Sequence, residues 1–456
     1  MTVGSGRKKR LIIPIETKVR EFHGKYLLSL IAAERGFDVI LGRQDHLREA
    51  LQSLGPAIYL DKSISETKIP WFKKFRSLGT AVCAWDEEGL VFFDDETYQK
   101  MRFCDEAFDQ ASLFFAWGDV QSRAMLTKRP EVADKIKVTG NPRFDLLRPE
   151  FRSFFDEDVN RIRENFGSII LINTNFSFVN HFQNEDVLRQ QLNSYSISSQ
   201  PGFFEGWTEA QRHAFDAFRE MVPLLSERYP DHTILIRPHP SERFDPWNNL
   251  AEQYENVVVN ADGNVQEWIL ASKVLVHFNC TTGIEAYFLD VPSIAYPKTP
   301  DAAYVQPLPN GLSLQAGAYG DLVRLIDEIL TQGSAYPRLR DDSRKSLFAA
   351  SYMSGMDGRL ASERIVDCLL QLDYESVLPQ PEPVPQVPLI KQVWRQILKL
   401  VRRPDERGQA YLSKKFPGLD RHEMDYNLSR FQQITGRFEG VTIEPVMPQC
   451  FRLIAR

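Results

Sequence analysis

Short apolar runs alternate with amphipathic segments along the first third of the chain. Residues 11–15 form the first run, and residues 20–35 follow with apolar positions at helical spacing before Gly36. The further apolar runs of this series lie at residues 37–41, 57–60, 80–85, 113–117 and 136–138. Short buried strands that are separated by helices are typical of βαβ units and a mainly parallel sheet. We therefore predict a first α/β domain over residues 1–150.

The alternation starts again after a helical segment at residues 154–166. A long helical pattern covers residues 209–228. The apolar runs of this second series lie at residues 168–173, 233–236, 257–259, 274–276 and 293–295. A second series of βα units predicts a second domain over residues 151–377. The expected fold class is α/β, with two Rossmann-type domains whose mainly parallel sheets face each other across a cleft.

The C-terminal part of the chain has a different pattern. Residues 378–389 are rich in proline, which predicts an extended linker, and residues 390–456 form an extension that we expect to be helical. From Ile390 to Arg403 the apolar residues follow helical spacing, while the other sides of the helix are basic and carry no acidic residue. Such a helix either lies on an anionic membrane surface or packs its apolar stripe against the protein's own body.

Composition narrows the class of protein. The chain has 456 residues, of which 43% are hydrophobic and 25% charged, the balance of a soluble globular protein with two or three domains. A formal net charge of -6 argues against a dedicated nucleic-acid binder. The five cysteines are scattered without CxxC spacing, which fits reduced thiols in a cytosol. No apolar run approaches the length of a membrane span.

A first polar motif, Asp86-Glu87-Glu88-Gly89, directly follows the predicted strand at residues 80–85. Ligands of parallel α/β sheets bind at the carboxyl ends of the strands, so this position favours a role for the motif in ligand binding or catalysis. Adjacent carboxylates repel one another and can raise the pKa of one of them, which suits a general base toward an acceptor hydroxyl. A solvated acidic turn that ends in glycine explains the same residues without a function.

A second motif follows the predicted strand that ends at Ile236. Arg237 and His239 offer a fixed cation and a hydrogen-bond donor to a leaving phosphate, and Pro240 comes next. Ser241 and Glu242 add a hydroxyl and a carboxylate that could orient the imidazole or contact a ribose. The alternative is that the arginine and the histidine only satisfy nearby carbonyl groups.

A third motif lies where a helix is predicted to begin. Asn279, Thr281, Thr282 and Gly283 follow another predicted strand, and a helix N-terminus with hydroxyls and a glycine suits a phosphate. Ordinary N-capping by threonine is the alternative explanation. Glu285 lies one turn further and could reach the ribose or the base of a nucleotide.

Other polar residues near predicted strand ends are candidates for the same cleft. They are Glu16, Arg20, Asn141, Arg143, Asn173 and Asn175. Glu16 and Arg20 could contact an acceptor or form a structural ion pair. The sequence has no Walker A, GxGxxG or GxSxG pattern and no cluster of metal-ligand residues, so we expect neither a cofactor nor a metal ion.

In chain order, Glu87-Glu88-Gly89, His239-Pro240 and Thr281-Thr282 resemble the D/E-D/E-G, HP and S/T-S/T motifs of bacterial sialyltransferases and Kdo transferases. Over about residues 11–370 the chain also resembles the surface carbohydrate biosynthesis proteins of bacterial polysaccharide loci. Gly140-Asn141-Pro142-Arg143 is one of the supporting stretches. The resemblance implies a GT-B-like fold, with the acceptor side in the first domain and the nucleotide-sugar site in the second.

The resemblance also implies a function. The chain would be a metal-independent glycosyltransferase that moves a 2-keto sugar acid (Kdo, sialic, legionaminic or pseudaminic acid) from its CMP-activated donor to an oligosaccharide or lipid-linked surface glycan. By analogy, His239, Thr281 and Thr282 would bind the CMP phosphate, and Glu87 would act as the base. Its place would be the bacterial cytoplasm, and it would lie at the inner face of the cytoplasmic membrane if the basic helix binds lipid.

Three other functions stay open at this point. They are a CDP-polyol phosphotransferase, an isomerase like the UDP-GlcNAc 2-epimerases, and a non-catalytic partner in polysaccharide assembly. Within the transferase hypothesis, retaining Kdo transferases place a carboxylate nucleophile near the first strand of the nucleotide domain. Residues 172–176 contain no acid, which favours an inverting mechanism.

Overall fold

The computed structural model describes residues 9–182, 203–297, 299, 301–379, 413 and 415–456. The predicted linker beyond residue 379 and the predicted basic helix from Ile390 to Arg403 lie outside these residues. The chain divides into two compact units. The first unit comprises Met1–Trp85, Asp105–Phe114 and Ser362–Arg456, and the second comprises Asp86–Cys104 and Phe115–Ala361. The predicted domain boundaries stay predictions.

The first sheet has eight strands, and the apolar runs of the first third of the chain supply six of them. These six are β1 (Arg10–Ile15), β2 (Asp38–Arg43), β3 (Ile58–Asp61), β4 (Ala81–Ala84), β5 (Ala111–Ala116) and β6 (Ile136–Val138). Two more strands, β13 (Val441–Met447) and β14 (Cys450–Ala455), come from the C-terminus. The strand order is β13-β14-β2-β1-β3-β4-β5-β6, and neighbours among β1 to β5 pair in parallel.

The second sheet has six strands, all paired in parallel. They are β7 (Ile169–Asn173), β8 (Thr233–Arg237), β9 (Val257–Val259), β10 (Val274–His277), β11 (Ser293–Ala295) and β12 (Leu314–Gln315). Their order is β12-β11-β10-β7-β8-β9. Two parallel-sheet domains of an α/β protein are thereby confirmed.

Helices connect the strands, as the helical spacing predicts. They are α1 (Lys18–Glu34), α2 (Gln44–Leu54), α3 (Ile69–Ser77), α4 (Asp95–Met101), α5 (Asp105–Asp109), α6 (Asp119–Lys128), α7 (Pro142–Asp145), α8 (Asp156–Phe166), α9 (Phe203–Arg228), α10 (Asp245–Ala251), α11 (Val265–Ala271), α12 (Thr282–Phe288), α13 (Pro307–Leu312), α14 (Tyr319–Gln332), α15 (Ser343–Tyr352), α16 (Ala361–Gln371), α17 (Tyr374–Val377) and α18 (Arg421–Thr435). Among the described residues, none of these helices is both long and apolar enough to cross a bilayer.

The core of the second sheet follows from the spacing in α9. Phe218, Val222 and Leu225 recur at intervals of four and three residues, so they lie on one face of the helix. That face is buried in one apolar cluster with Ile170 of β7 and Ile234 of β8. The predicted helix is therefore confirmed, and burial of its apolar face holds it on the sheet.

The C-terminal extension adds an edge to the first sheet. After helix α18, the hairpin of β13 and β14 pairs antiparallel with β2, and Cys450 lies opposite Gly42. The buried carboxylate of Asp38 accepts hydrogen bonds from Arg10 and Arg452, at 2.7 and 2.6 Å. Burial raises the pKa of Asp38, but the two arginines outweigh burial and lower it. The helical part of the extension was predicted, and the hairpin is a finding of the structure.

We expect Gly42→Ala to destabilise the protein by about 2 kcal/mol, because an added methyl overpacks the contact between β2 and β14. The new Cβ would lie 2.5 Å from the carbonyl oxygen of Gln449 and 2.6 Å from Sγ of Cys450. Urea unfolding measures the change. Gly440→Ala is the control, because a Cβ there meets nothing within 4 Å. Equal effects of the two substitutions would contradict the pairing of β14 with β2.

Candidate functional site

The carboxyl ends of three neighbouring strands of the second sheet form the candidate site. Asn173 ends β7, Arg237 ends β8 and His277 ends β10, and the register places Asn173 opposite both of the others. Side chains in register on parallel strands point to the same face of a sheet. The loops that follow these ends carry most of the residues predicted to bind a nucleotide.

Glu242 belongs to the loop that follows β8, and its side chain contacts the loop that follows β7. The residue is only 3% exposed. Its Oε1 accepts hydrogen bonds from Thr174 Oγ1 at 2.7 Å and from the Phe176 N–H at 2.9 Å. Its Oε2 accepts from Asn180 Nδ2 at 3.3 Å and from Trp247 Nε1 at 3.2 Å. Burial raises the pKa of Glu242, and these donors oppose the rise. The sequence assigned Glu242 to the nucleotide, whereas these contacts join the two loops.

His239 lies on the loop that Glu242 holds, and the exposed Pro240 follows it. The His239 N–H lies 3.3 Å from Glu242 Oε1, and the ring Nδ1 accepts the Ser241 N–H at 3.2 Å. Ser177 Oγ lies 3.0 Å from the same ring nitrogen. Because a backbone N–H is always a donor, Nδ1 acts as the acceptor in this contact, which corresponds to the ring tautomer that carries its proton on Nε2. The half-buried imidazole can therefore donate from Nε2.

The Arg237 side chain binds backbone groups of the protein itself. Its guanidinium donates to the carbonyl oxygens of Ala261, Asp262 and Gly263, at 3.3, 2.7 and 3.1 Å. It also lies over the ring of Trp268, 5.3 Å from the centroid. Burial lowers the pKa of Arg237 to about 10. The structure thus places Arg237 on nearby carbonyl groups, which was the alternative to phosphate binding.

Asn279 and Asn175 connect the loops after β10 and β7. Asn279 has a left-handed backbone, with φ of 47°, and is 4% exposed. Its Nδ2 donates to the Tyr304 carbonyl at 2.9 Å, and its Oδ1 accepts the Gln306 N–H at 2.9 Å. Asn175 Nδ2 donates to the Asn279 carbonyl at 3.3 Å. Both asparagines were predicted to contact a ligand, and these contacts give them a role in positioning the loops.

The third motif begins helix α12 without a side-chain cap. Thr281 precedes the helix and its hydroxyl makes no capping hydrogen bond, so N-capping does not account for it. Thr282 Oγ1 donates to Sγ of Cys280 at 3.1 Å, and both threonines are half-buried. A Cβ on Gly283 would lie 2.4 Å from Nε2 of His277. The glycine is therefore required by close packing on that histidine, whereas the sequence suggested close approach to a phosphate.

His277 is a buried residue that sequence analysis missed. Its Nδ1 accepts the Cys280 N–H at 3.4 Å, and its Nε2 lies 2.8 Å from Ser313 Oγ. Ser313 Oγ in turn lies 2.9 Å from Ser293 Oγ. Burial lowers the pKa of His277 to about 3, so the ring is neutral. Its place directly after an apolar run, like that of Arg237, was the signal that could have found it.

Arg143 and Glu285, which were predicted separately, form a buried ion pair. Arg143 Nη2 lies 2.9 Å from Glu285 Oε1, and the two side chains are 8% and 4% exposed. Gln266 Nε2 donates to the other carboxylate oxygen at 3.2 Å, and Asn141 Oδ1 accepts the Arg143 N–H at 3.0 Å. A buried ion pair needs such additional hydrogen bonds. Glu285 therefore faces protein groups, although the sequence assigned it to a ribose or base.

Among the three adjacent carboxylates, Asp86 has a structural role. It is fully buried, accepts from Arg102 Nε at 3.0 Å and accepts the Glu88 N–H at 3.2 Å. Trp117 Nε1 donates to the Asp86 carbonyl oxygen at 2.6 Å. Glu87 is 5% exposed and Glu88 is exposed. Since Asp86 is committed to Arg102, Glu87 and Glu88 are the better candidates for a base.

The carboxyl end of β1 holds the predicted residues Glu16 and Arg20, the latter half-buried. Glu16 lies 2.8 Å from Lys62 Nζ and 2.5 Å from Lys415 Nζ. Burial alone would raise the pKa of Glu16, but the two lysines lower it well below its ordinary value. Glu16 thus forms structural ion pairs, and the partners that the structure shows are lysines.

Two of the predicted asparagines have buried side-chain amide atoms that lack a hydrogen-bond partner among the described residues. Asn173 is 3% exposed, and neither its Oδ1 nor its Nδ2 has a hydrogen-bond partner among the described residues. Nδ2 of Asn141 is buried in the same way. A buried polar group without a partner costs free energy, so such amides are candidates for ligand contact.

The described residues contain no group of three or more His, Cys, Asp or Glu side chains that could hold a metal ion. Metal-independent chemistry stays a prediction.

Comparison with known proteins identifies the fold. No protein-family model and no curated protein matches the chain. UDP-GlcNAc 2-epimerase from Methanocaldococcus jannaschii is 13% identical with a TM-score of 0.50, and the match covers 80% of this chain and 99% of that one. The UDP-GlcNAc-bound epimerase from Neisseria meningitidis is 14% identical, with a TM-score of 0.47 and coverage of 80% and 100%. The wall teichoic acid polymerase TagF is 11% identical, with a TM-score of 0.49 and coverage of 82% and 90%.

At such low identities the similarity shows the fold alone. The match to the Methanocaldococcus jannaschii epimerase, together with the two parallel sheets, shows that the chain has a GT-B-type α/β fold. The expected α/β class with two parallel-sheet domains is therefore confirmed.

We expect Glu242→Gln to destabilise the protein by about 3 kcal/mol. The new amide NH₂ would face N–H and O–H groups that now donate hydrogen bonds to the carboxylate. Urea unfolding measures the loss. Glu252→Gln removes the same charge from an exposed position just after α10 and should leave stability unchanged. A Glu242→Gln protein as stable as this control would show that the two loops do not depend on the carboxylate.

Proposed function

We propose that the protein is a glycosyltransferase that moves a 2-keto sugar acid from its CMP-activated donor to a bacterial surface glycan. The GT-B-type fold supports a transferase. The donor class is supported by the three motifs, which occur in the order found in sialyltransferases and Kdo transferases. In this proposal the reaction needs neither a metal ion nor a cofactor, and the basic segment from Ile390 to Arg403 keeps the enzyme at an anionic membrane.

The observation that carries the proposal is the orientation of His239. The Ser241 N–H donates to Nδ1, and this contact favours the ring tautomer with its proton on Nε2. Glu242 holds the same loop through the His239 N–H. A half-buried imidazole at the carboxyl end of β8 is thereby prepared to donate a hydrogen bond to a phosphate oxygen.

This orientation suits a reaction in which negative charge develops on a leaving phosphate. Transfer breaks the bond between C2 of the sugar acid and the phosphate oxygen of CMP, and the electron pair of that bond stays on the phosphate. Negative charge therefore grows on the leaving group, and donors placed in advance lower the barrier. In the proposal, Nε2–H of His239 is one donor, and the hydroxyls of Thr281 and Thr282 are the others.

Glu87 is the proposed base. It takes the proton of the acceptor hydroxyl as that oxygen forms its bond to C2, so that the acceptor oxygen ends neutral in the new glycosidic bond. Glu87 is only 5% exposed and lies just beyond the carboxyl end of β4, where a carboxylate can act as a general base. The neighbouring Asp86 is less suited, because its fully buried carboxylate already accepts a hydrogen bond from Arg102.

The alternatives differ in the nucleotide that they would bind. An isomerase like the UDP-GlcNAc 2-epimerases would select UDP, and a polyol-phosphate transferase would select CDP. A non-catalytic assembly partner would bind no nucleotide. Nucleotide selectivity therefore separates these functions from the proposed one.

Thermal unfolding with CMP, CDP, UDP and GDP should show selective stabilisation by CMP. A ligand present at 100 times its Kd stabilises the native state by about 2.7 kcal/mol, which is a measurable shift in Tm. Selective stabilisation by UDP or GDP would reject the CMP donor, and selective stabilisation by CDP would favour the polyol-phosphate transferase. The absence of any shift would favour the assembly partner.

Glu87→Gln should lower turnover by about 10²–10⁴-fold without weakening CMP binding, because the amide cannot take up the proton. His239→Ala should lower turnover and also weaken CMP binding, since the hydrogen-bond donor to the phosphate is lost. Turnover is measured as CMP release from the CMP-sugar acid that the parent protein uses, and affinity by titration with CMP. Glu88→Gln tests the exposed neighbour, which is the other candidate base, and Glu252→Gln at an exposed position in the second sheet's domain is the control. Parent-like turnover of Glu87→Gln would refute its assignment as the base.

A further inference from the structure

Two cations meet one buried carboxylate at the carboxyl end of β3. Asp61, the last residue of β3, is fully buried and lies 2.7 Å from Lys68 Nζ and 3.5 Å from Arg48 Nη2. The Ser63 N–H also donates to Oδ1 of Asp61, at 3.2 Å. One negative charge therefore faces two positive charges in a place with little solvent.

Lys62 brings a third cation to the same place. Its Nζ lies 2.8 Å from Glu16, just beyond the end of the neighbouring strand β1. Burial lowers the pKa of Lys68, Asp61 opposes this, and the positive charges of Arg48 and Lys62 lower it further. Lys62 directly follows Asp61 in the chain, and its Nζ also lies 3.7 Å from Oε1 of the buried Glu21.

These three cations are largely desolvated but can still be reached. The side chains of Arg48, Lys62 and Lys68 are 12%, 16% and 10% exposed. The Arg48 guanidinium lies 4.9 Å from the ring centroid of Trp71, and its Nε is buried without a hydrogen-bond partner among the described residues. Crowded cations in a place of low dielectric are costly, and an anion that binds there removes part of this cost.

We propose that the β3 cation cluster, defined as Arg48, Lys62 and Lys68, binds a phosphoryl group. A phosphate monoester carries close to two negative charges at pH 7 and has acceptor oxygens on several sides. A planar guanidinium and two ammonium groups match both properties. A carboxylate ligand is a poorer match. It brings only one negative charge, and Asp61 already supplies one negative charge to the same cations.

The phosphoryl group is that of the acceptor, an assignment that rests on the proposed function. The cluster lies in the first predicted domain, whereas His239, Thr281 and Thr282 lie in the second. The residues before 150 are also the predicted acceptor side. The substrate class is therefore a glycan that carries a phosphate or diphosphate, and this group anchors the acceptor.

Isothermal titration of the full chain with inorganic phosphate and with N-acetylglucosamine 1-phosphate tests the site. Lys68→Met should weaken binding of the sugar phosphate by at least about tenfold, because one of three cations is lost. Asp61→Asn should bind it more tightly, since the competing carboxylate is removed. A purely structural role of these residues would not produce this increase.

Lys73→Met is the matched control. It removes the same charge from α3, where Lys73 forms an exposed ion pair with Glu106 at 2.6 Å, and it should bind the probes as the parent does. If Lys68→Met does not fold, Lys62→Met replaces it and should show the same loss, because Lys62 is the most exposed cation of the cluster. Parent-like binding by the lysine variant, or no binding of either probe, would overturn the site.

Two comparisons separate the acceptor from other sources of phosphate. Tighter binding of the sugar phosphate than of inorganic phosphate supports an acceptor, whereas equal binding would overturn that assignment. Displacement of the sugar phosphate by CMP would also overturn it, because the cluster would then hold the donor. The first titrations contain no nucleotide, so they can succeed even when CMP fails to bind and the proposed function is wrong.

Discussion

The arrangement of the candidate site depends on one buried carboxylate, that of Glu242. An ionised carboxylate away from water is costly unless donors surround it, so the segments that supply those donors must come together. Here the donors come from the loops after β7 and β8 and from α10, including Thr174, Phe176 and Trp247. The same contacts fix the loop of His239, and that loop sets the tautomer of the imidazole.

The need to satisfy buried polar groups also explains why most polar residues at strand ends serve the protein itself. The chain turns at the carboxyl edge of a parallel sheet, where backbone groups lose their ladder partners and need others. Arg237 and Asn279 supply such partners, and Glu285 pairs with Arg143. Each of the three sequence motifs then leaves few groups for chemistry. These are Glu87 in the first, His239 in the second, and Thr281 with Thr282 in the third.

The two ends of the chain meet in the first unit. β14 pairs with β2 and covers what would otherwise be an open sheet edge, a stabilising arrangement because open edges promote association. Lys415 reaches Glu16 after β1, next to the pair that Glu16 makes with Lys62. Such partly exposed ion pairs contribute little stability each. Their consequence is instead the charge pattern at the ends of β1 and β3, on which the β3 cation cluster depends.

The sequence by itself determined the elements, because a strand buried on both faces needs a continuous apolar run whatever its partners are. The runs at residues 11–15, 168–173 and 274–276 therefore overlap the buried strands β1, β7 and β10. The hairpin of β13 and β14 escaped prediction, because β13 is largely exposed and its sheet lies at the other end of the chain. The tertiary structure alone decided which partner each polar side chain takes, such as Arg102 for Asp86. The physical reason is that hydrogen bonds and ion pairs depend on distances in space, which local spacing along a chain does not contain.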